Sequence, residues 1–418
     1  MSDADKSDIS NLIKLFGPGI LELLKGKQVE LEHVEIELEE LELYLPIGGT
    51  IAGSYPTIHS SVIQDTTGPE IRIRPRPENL ADVPFNPSSI PYPAKIREIK
   101  LGGARSDGGT RGSTVTVGGS SSLPFHDPQS PPPHSPVISL DVFDTPVPMP
   151  KALKNHVKDV LDDPADWAKM NVEQFGADMV TVHLLSTDPL IQNRSVKDAS
   201  KTVEEVLQAV DVPLIIGGCG DPKKDAETFI EISEMAEGER LLLNSVTTDM
   251  ADAKTLEPVC RAADKCGHCL LGFTGLDLNS AKELNRRIYQ FFSPDRLLID
   301  LTTVALGYGL EYSFSIHERA RTAALMGDSE LSHPTLSACT NAWSAREAWM
   351  NLGPEFGRNE LRGPLWESIG GITLLLAGVD LFLMMHPLAV STLRDVSTRL
   401  MNPKPLKPEM SEWVSVKI

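Results

Sequence analysis

From residue 136 onward the apolar positions alternate between two spacings. Short, nearly continuous apolar runs lie at 137–142, 178–185, 213–216, 241–245, 268–273, 297–301, 334–338 and 381–385. After them come helix-spaced segments at 163–174, 196–209, 222–236, 249–265, 279–291, 316–326, 343–350 together with 364–377, and 388–400. Runs apolar on both faces suit strands buried on both sides. Eight strand–helix units in this order predict an α/β fold, a (β/α)8 TIM barrel, since an open doubly wound sheet usually ends with fewer strands. In such a barrel alternate strand residues face the lumen. Val180, Val182 and Leu184 suit the helix side, so Thr181 and His183 are expected inside; Leu298, Asp300 and Thr302 share one face by the same count.

The chain before the barrel has a different rhythm. Apolar residues at Ile9, Leu12, Ile13 and Phe16, then Ile20, Leu23 and Leu24, predict short amphipathic helices broken at Gly17-Pro18. Strict alternation with glutamates over 29–45 predicts acidic strands, with turns or bulges where the phase slips. Prolines from 69 to 93 describe an extended connector. Residues 95–101 and 113–117 read as a hairpin around GGARSDGGTRG, a glycine-rich loop that fails as a phosphate cradle because no Gly-Lys-Ser/Thr follows it. The expected organisation is an N-terminal β-rich extension at 1–94, a hairpin region at 95–135, the barrel at 136–402 and a tail at 403–418.

A formal net charge of −19 argues against nucleic acid as a partner, and no basic run offsets it. The start, MSDADKSD, lacks the basic and apolar pattern of a secretory signal, which leaves a cytoplasmic expectation. The apolar stretch 369–385 is interrupted by Gly370, Gly371, Gly378 and Asp380 and reads as a helix followed by a buried strand, not a membrane span. Five cysteines, an odd number, argue against a disulfide framework. Cys266-Gly-His-Cys269 has redox or metal spacing, but Cys266 closes a helix and Cys269 lies in a strand, so their thiols need not converge. No iron–sulfur cluster and no metal ligand set is therefore assigned to this chain.

Ligands of parallel α/β proteins sit at the C-terminal ends of the strands. Those ends carry Ser186, Thr187 and Asp188; Gly217, Gly218 and Cys219; Asn244 and Ser245; Thr274; Asp300, Thr302 and Thr303; Thr340 and Asn341; and His386. Hydroxyls, amides and glycines suit an uncharged, flat ligand more than a phosphorylated one. No catalytic pair stands out. His183 and His386 are candidate bases, although a lone buried histidine is more often a hydrogen-bonded core residue.

Several stretches resemble a known family: GGTRGSTVTVGG followed by LPFH, EQFGADMVTVHLLSTDP, KTVEEVLQAVDVPLIIGGCGDPKKD, LGYGLEYSFSIHERARTAALMGD, TNAWSAREAW, and RGPLWESI with MMHP beyond it. The family is the smaller (delta) subunit of the corrinoid iron–sulfur protein of the archaeal acetyl-CoA decarbonylase/synthase complex. The resemblance implies a barrel subunit whose mouth covers a corrinoid (cobamide) shared with a larger gamma subunit, which carries the iron–sulfur cluster. The cobalt passes a methyl group between methyl-tetrahydropterin and the nickel site of acetyl-CoA synthase, so acetyl-CoA synthase and carbon monoxide dehydrogenase subunits are the further implied partners. The implied contacts are Gly307, Tyr308, Gly309, Thr340, Asn341 and Trp343, and the implied role is support of the assembly. None of the ten histidines lies in an Asp-x-His-x-x-Gly cobalt-ligating stretch. The competing expectation is a stand-alone TIM-barrel methyltetrahydropterin:corrinoid methyltransferase, with Asp300, Asn244 and Asn341 meeting the pterin's amide edge.

Overall fold

The structure, a computed structural model, describes residues 43–45, 49–51, 90–125, 132–302 and 309–402. Strand β1 (Leu43–Leu45) pairs antiparallel with β2 (Gly49–Ile51), and both fall in the first of two compact units, Met1–Arg76. The expected helices at 9–24, most of the proline-rich connector and the tail at 403–418 lie outside the described residues.

The second unit, Pro77–Ile418, opens with the expected hairpin: β3 (Glu98–Leu101) runs antiparallel to β4 (Val115–Gly118). Eight parallel strands follow. They are β5 (Val137–Phe143), β6 (Met179–His183), β7 (Leu214–Gly217), β8 (Leu242–Val246), β9 (Cys269–Phe273), β10 (Leu297–Asp300), β11 (Leu336–Ala338) and β12 (Leu381–Met384). Their order, β10-β9-β8-β7-β6-β5-β12-β11, is that of a cylinder opened at one seam. The seam closes where Ile299 N donates to Pro334 O at 3.1 Å, giving a parallel bridge between Ile299 and Thr335. The chain is therefore a (β/α)8 barrel.

Ten helices are described: α1 (Lys151–Val157), α2 (Pro164–Glu173), α3 (Val196–Ala209), α4 (Pro222–Met235), α5 (Thr248–Asp252), α6 (Leu256–Cys266), α7 (Leu278–Ile288), α8 (Leu310–Leu325), α9 (Asn359–Ala377) and α10 (Pro387–Met401). Several start where the local chemistry dictates. Asp163, Asp221 and Asp277 each accept two first-turn N–H groups, and proline occupies the first turn of α2 and α4, where its missing N–H costs nothing.

Three helical expectations change. The segment expected as one helix at 249–265 is two, because Lys254 turns left-handed (φ 61°) and Thr255 N bonds back to Met250 O. Helix α8 begins six residues earlier than expected, directly after the left-handed Gly309 (φ 106°). Residues expected as a helix at 343–350 form short 3₁₀ turns, and α9 then starts at Asn359 with Pro364 inside it. A proline there removes only the bond to a first-turn carbonyl, so the helix runs through it.

Strand side chains sort as the alternation requires. Val180, Val182 and Leu184 pack with the helices, while Met179, Ile215, Leu242, Leu271, Leu298 and Leu383 fill the lumen. The lower lumen is closed by Ile99, Leu101 and Val117 of the hairpin. The hairpin is anchored by Arg111, 5% exposed, whose Nε donates to Glu239 at 2.7 Å while its remaining nitrogens donate to Val210 O and Leu207 O. With the bottom sealed by apolar side chains, the open end for a ligand is the mouth.

Candidate functional site at the barrel mouth

Polarity rises toward the mouth along β5, β6, β8 and β10. In β5 the inward residues after Val137 are Ser139, Asp141 and Phe143. Ser139 Oγ lies 2.7 Å from Thr181 Oγ1 across β5 and β6. One layer higher, His183 Nε2 sits 3.2 Å from Asp141 Oδ1, and Phe143 stacks on the His183 ring at 5.0 Å and 18°. The two buried atoms face each other at ion-pair distance but off the line of a hydrogen bond, so neither is satisfied by a hydrogen bond. Thr274 Oγ1, at the end of β9, is buried and unpartnered as well. Unpaired polar groups in an interior cost free energy unless something completes them.

Asp300, 4% exposed, accepts the Thr302 amide at 3.0 Å, and burial pushes its carboxyl well above the usual carboxylate range. Such a shift favours the protonated form, which can donate as well as accept. Asn244 and Ser245, at the end of β8, are half-buried. Beside them, the 217–220 turn is tied down by Asp225, whose carboxylate accepts the Cys219 and Gly220 amides at 2.7 and 2.9 Å. Burial pushes the Cys219 thiol up to about 11, which makes it a poor nucleophile.

The other side of the mouth is built on Glu367, a fully buried residue of α9. Its carboxylate accepts Trp343 Nε1 at 3.0 Å, Met385 N at 2.6 Å and His386 N at 3.1 Å. Burial outweighs these three donors and pushes the carboxyl up to about 7. The bonds join the turn after β11, the end of β12 and α9 into one wall. Trp343 is 7% exposed and stacks on His386 at 5.8 Å. It lies so close to Gly363 that any Cβ there would overlap its ring. Thr340 and Asn341, in the same turn, are half-buried and reach the mouth's edge.

Of the residues expected at the site, Thr340, Asn341 and Trp343 share one turn, and Gly309 lies at the start of α8. Gly307, Tyr308 and Thr303 lie outside the described residues. His183 faces inward as expected. His386 is mainly structural: its Nδ1 accepts Leu388 N at 3.1 Å and caps α10, and burial, then His156, lowers it to about 4. The Cys266-Gly-His-Cys269 stretch is spent on packing. Cys269 lies in the lumen, and His268 accepts Leu241 N at 3.1 Å with its other nitrogen 3.0 Å from Ser233 O. Sequence reasoning missed Asp141 and Glu367. The signals were present: an aspartate near the end of the first barrel strand, and one acid inside an otherwise uncharged run from 363 to 379.

The rim around these groups is apolar. Leu190 and Ile191 follow β6, Leu276 follows β9, Trp349 and Phe356 lie between β11 and α9, and Leu388 opens α10. Each is 45% exposed or more. Exposed apolar side chains gathered at one end of a molecule mark an interaction surface.

The profile of CdhD, CO dehydrogenase/acetyl-CoA synthase delta subunit, matches residues 98–396. The acetyl-CoA decarbonylase/synthase complex subunit delta of Archaeoglobus fulgidus is 48% identical over 331 residues, 78% of this chain and 72% of that protein. Subunit delta 1 of Methanosarcina thermophila is 39% identical over 442 residues, 99% of this chain and all (100%) of that one. The delta subunit of Methanocaldococcus jannaschii is 39% identical over 415 residues, 97% and 96% of the two chains. Among solved structures, the 7,8-dihydropteroate synthase of Vibrio fischeri ES114 is similar with a TM-score of 0.46 at 13% identity, over 74% of this chain and 100% of that one. On the extent of these sequence matches, the chain belongs to the CO dehydrogenase/acetyl-CoA synthase delta subunit family.

Proposed function

We propose that the barrel mouth covers a corrinoid held chiefly by a larger (gamma) subunit, within a complex that carries a methyl group between methyl-tetrahydropterin and the nickel site of acetyl-CoA synthase. The observation that carries this reading is the pairing of an exposed apolar rim with buried polar atoms beneath it that make no hydrogen bond among the described residues, Asp141 Oδ1, His183 Nε2 and Thr274 Oγ1. A corrin is a broad, flat ring edged with amides. Its face suits an apolar rim, and its edges suit the half-buried Thr340 and Asn341. Gly307, Tyr308 and Gly309 are the further contacts this reading assigns, of which Gly309 lies at the start of α8. When bound, the corrinoid supplies the methyl-carrying cobalt. This chain's residues supply exclusion of water and a fixed orientation, with Glu367 holding the Trp343 wall in place.

A second reading is favoured by Asp300, a buried carboxyl facing the lumen whose burial favours the protonated form, together with Asn244. Both are suited to the amide edge of a pterin, which would make the chain a methyltransferase in its own right. Incubation of the purified chain with methyl-tetrahydropterin and cob(I)alamin separates the two. Cover predicts no methylcobalamin until the larger subunit is added. Methyl transfer by the isolated chain would establish the second reading instead.

A further inference from the structure

The outer helices of this barrel turn charges to water. Helix α3, for example, exposes Lys197, Asp198, Lys201, Glu204 and Glu205. Helix α9 does not. Its most exposed side chains after the first residues are Leu361 (40%), Leu365 (54%), Ile369 (50%) and Leu376 (42%), and the half-buried ones between them are Trp366, Ile372 and Thr373. From Gly363 to Ala377 the only charged residue is Glu367, which is fully buried. The solvent side of a helix of 19 residues is thus uncharged beyond its first turn. Leu365, Ile369, Ile372 and Leu376 are spaced by four, three and four, the seam that accepts a second helix.

We propose that this face seats an amphipathic helix from another subunit of the complex, apolar along one side and neutral or basic at its flanks. Three observations choose that occupant over a second copy of this chain. A helix of this length is about 28 Å long and about 10 Å wide. That offers about 280 Å², well short of the roughly 800 Å² per partner that a stable interface needs, so α9 pairing with itself is insufficient. The helices packed on either side of α9 also carry exposed apolar side chains, Tyr312 (62%) on α8 and Leu388 (48%) on α10, so a larger partner has more than α9 to cover. Finally, two copies each at −19 repel one another, whereas a neutral or basic partner does not. The wall site rests on family membership in a multisubunit complex, and cobalt content separates its failure from failure of the mouth reading.

The test uses the complex assembled from co-expressed subunits, with wild-type chain and with Leu365→Glu/Ile369→Glu. Both residues are exposed, so the variant chain should keep its circular dichroism and melting temperature. Placing two carboxylates in a buried seam is expected to weaken assembly about 100-fold, read as loss of a subunit by mass. Hydroxyl-radical footprinting should show Leu365, Ile369 and Leu376 several-fold less oxidised in the wild-type complex than in the isolated chain. Undiminished assembly of the variant, with equal oxidation in both states, would overturn the proposal. So would protection of α9 already present in an isolated homodimer. Cobalt content, measured on the same samples, reports separately on the mouth.

Discussion

Glu367 shows how much one buried carboxylate decides at the mouth. Its folded-state pKa is raised from 4.5 to about 7, so between those values the folded chain holds a proton that the unfolded chain has released. This contribution to stability is fully present below about 4.5 and is lost as pH rises toward 7, to an extent of about 3 kcal/mol. Thermal unfolding followed from pH 5 to 7.5 should therefore show a steeper fall in Tm for wild type than for Glu367→Gln. Equal slopes would mean that Glu367 titrates normally. Gly363 makes a geometric claim on the same wall: Gly363→Ala drives a methyl into Trp343. We expect a loss of about 1–3 kcal/mol and a shifted tryptophan emission as the ring is displaced. An unchanged emission spectrum at wild-type stability would contradict the contact.

At the scale of elements, the hairpin β3–β4 decides which end of the barrel is open. Its Arg111–Glu239 pair is almost fully removed from water, so breaking one side leaves a buried charge unanswered. Arg111→Ala should lower stability by about 3–5 kcal/mol in urea denaturation, and Arg111→Met with Glu239→Leu should recover most of that loss. Failure of the double variant to recover would show that the backbone acceptors, not Glu239, hold the arginine. The barrel strands were legible in the sequence because burial on both faces leaves a continuous apolar run, as in 213–216. The breaks between helices were less legible. Lys254 adopts a left-handed conformation without a glycine to signal it, and α9 ignores the proline that would ordinarily mark a helix start. Thr340 and Asn341 could be placed at a strand's end because they follow β11 directly, whereas Trp343 was singled out only by the family resemblance. Glu367 could not: it reaches the mouth from within a helix, a relation that only tertiary packing sets.

At the scale of the whole barrel, a lower lumen sealed by apolar side chains, buried polar groups above it and an apolar rim make the mouth the face suited to a ligand. No described helix is long and apolar enough to cross a membrane. The central claim is that this mouth holds down a corrinoid belonging to the complex. The most direct measurement is the cobalt-to-protein ratio, with the corrinoid absorption spectrum, of complex purified with Thr340→Ala/Asn341→Ala against wild type. Both residues are half-buried, so the barrel should fold normally. Cover predicts that the variant complex assembles with all its subunits yet loses its corrinoid several-fold faster on dialysis. Full retention of cobalt, with an unaltered spectrum, would contradict it.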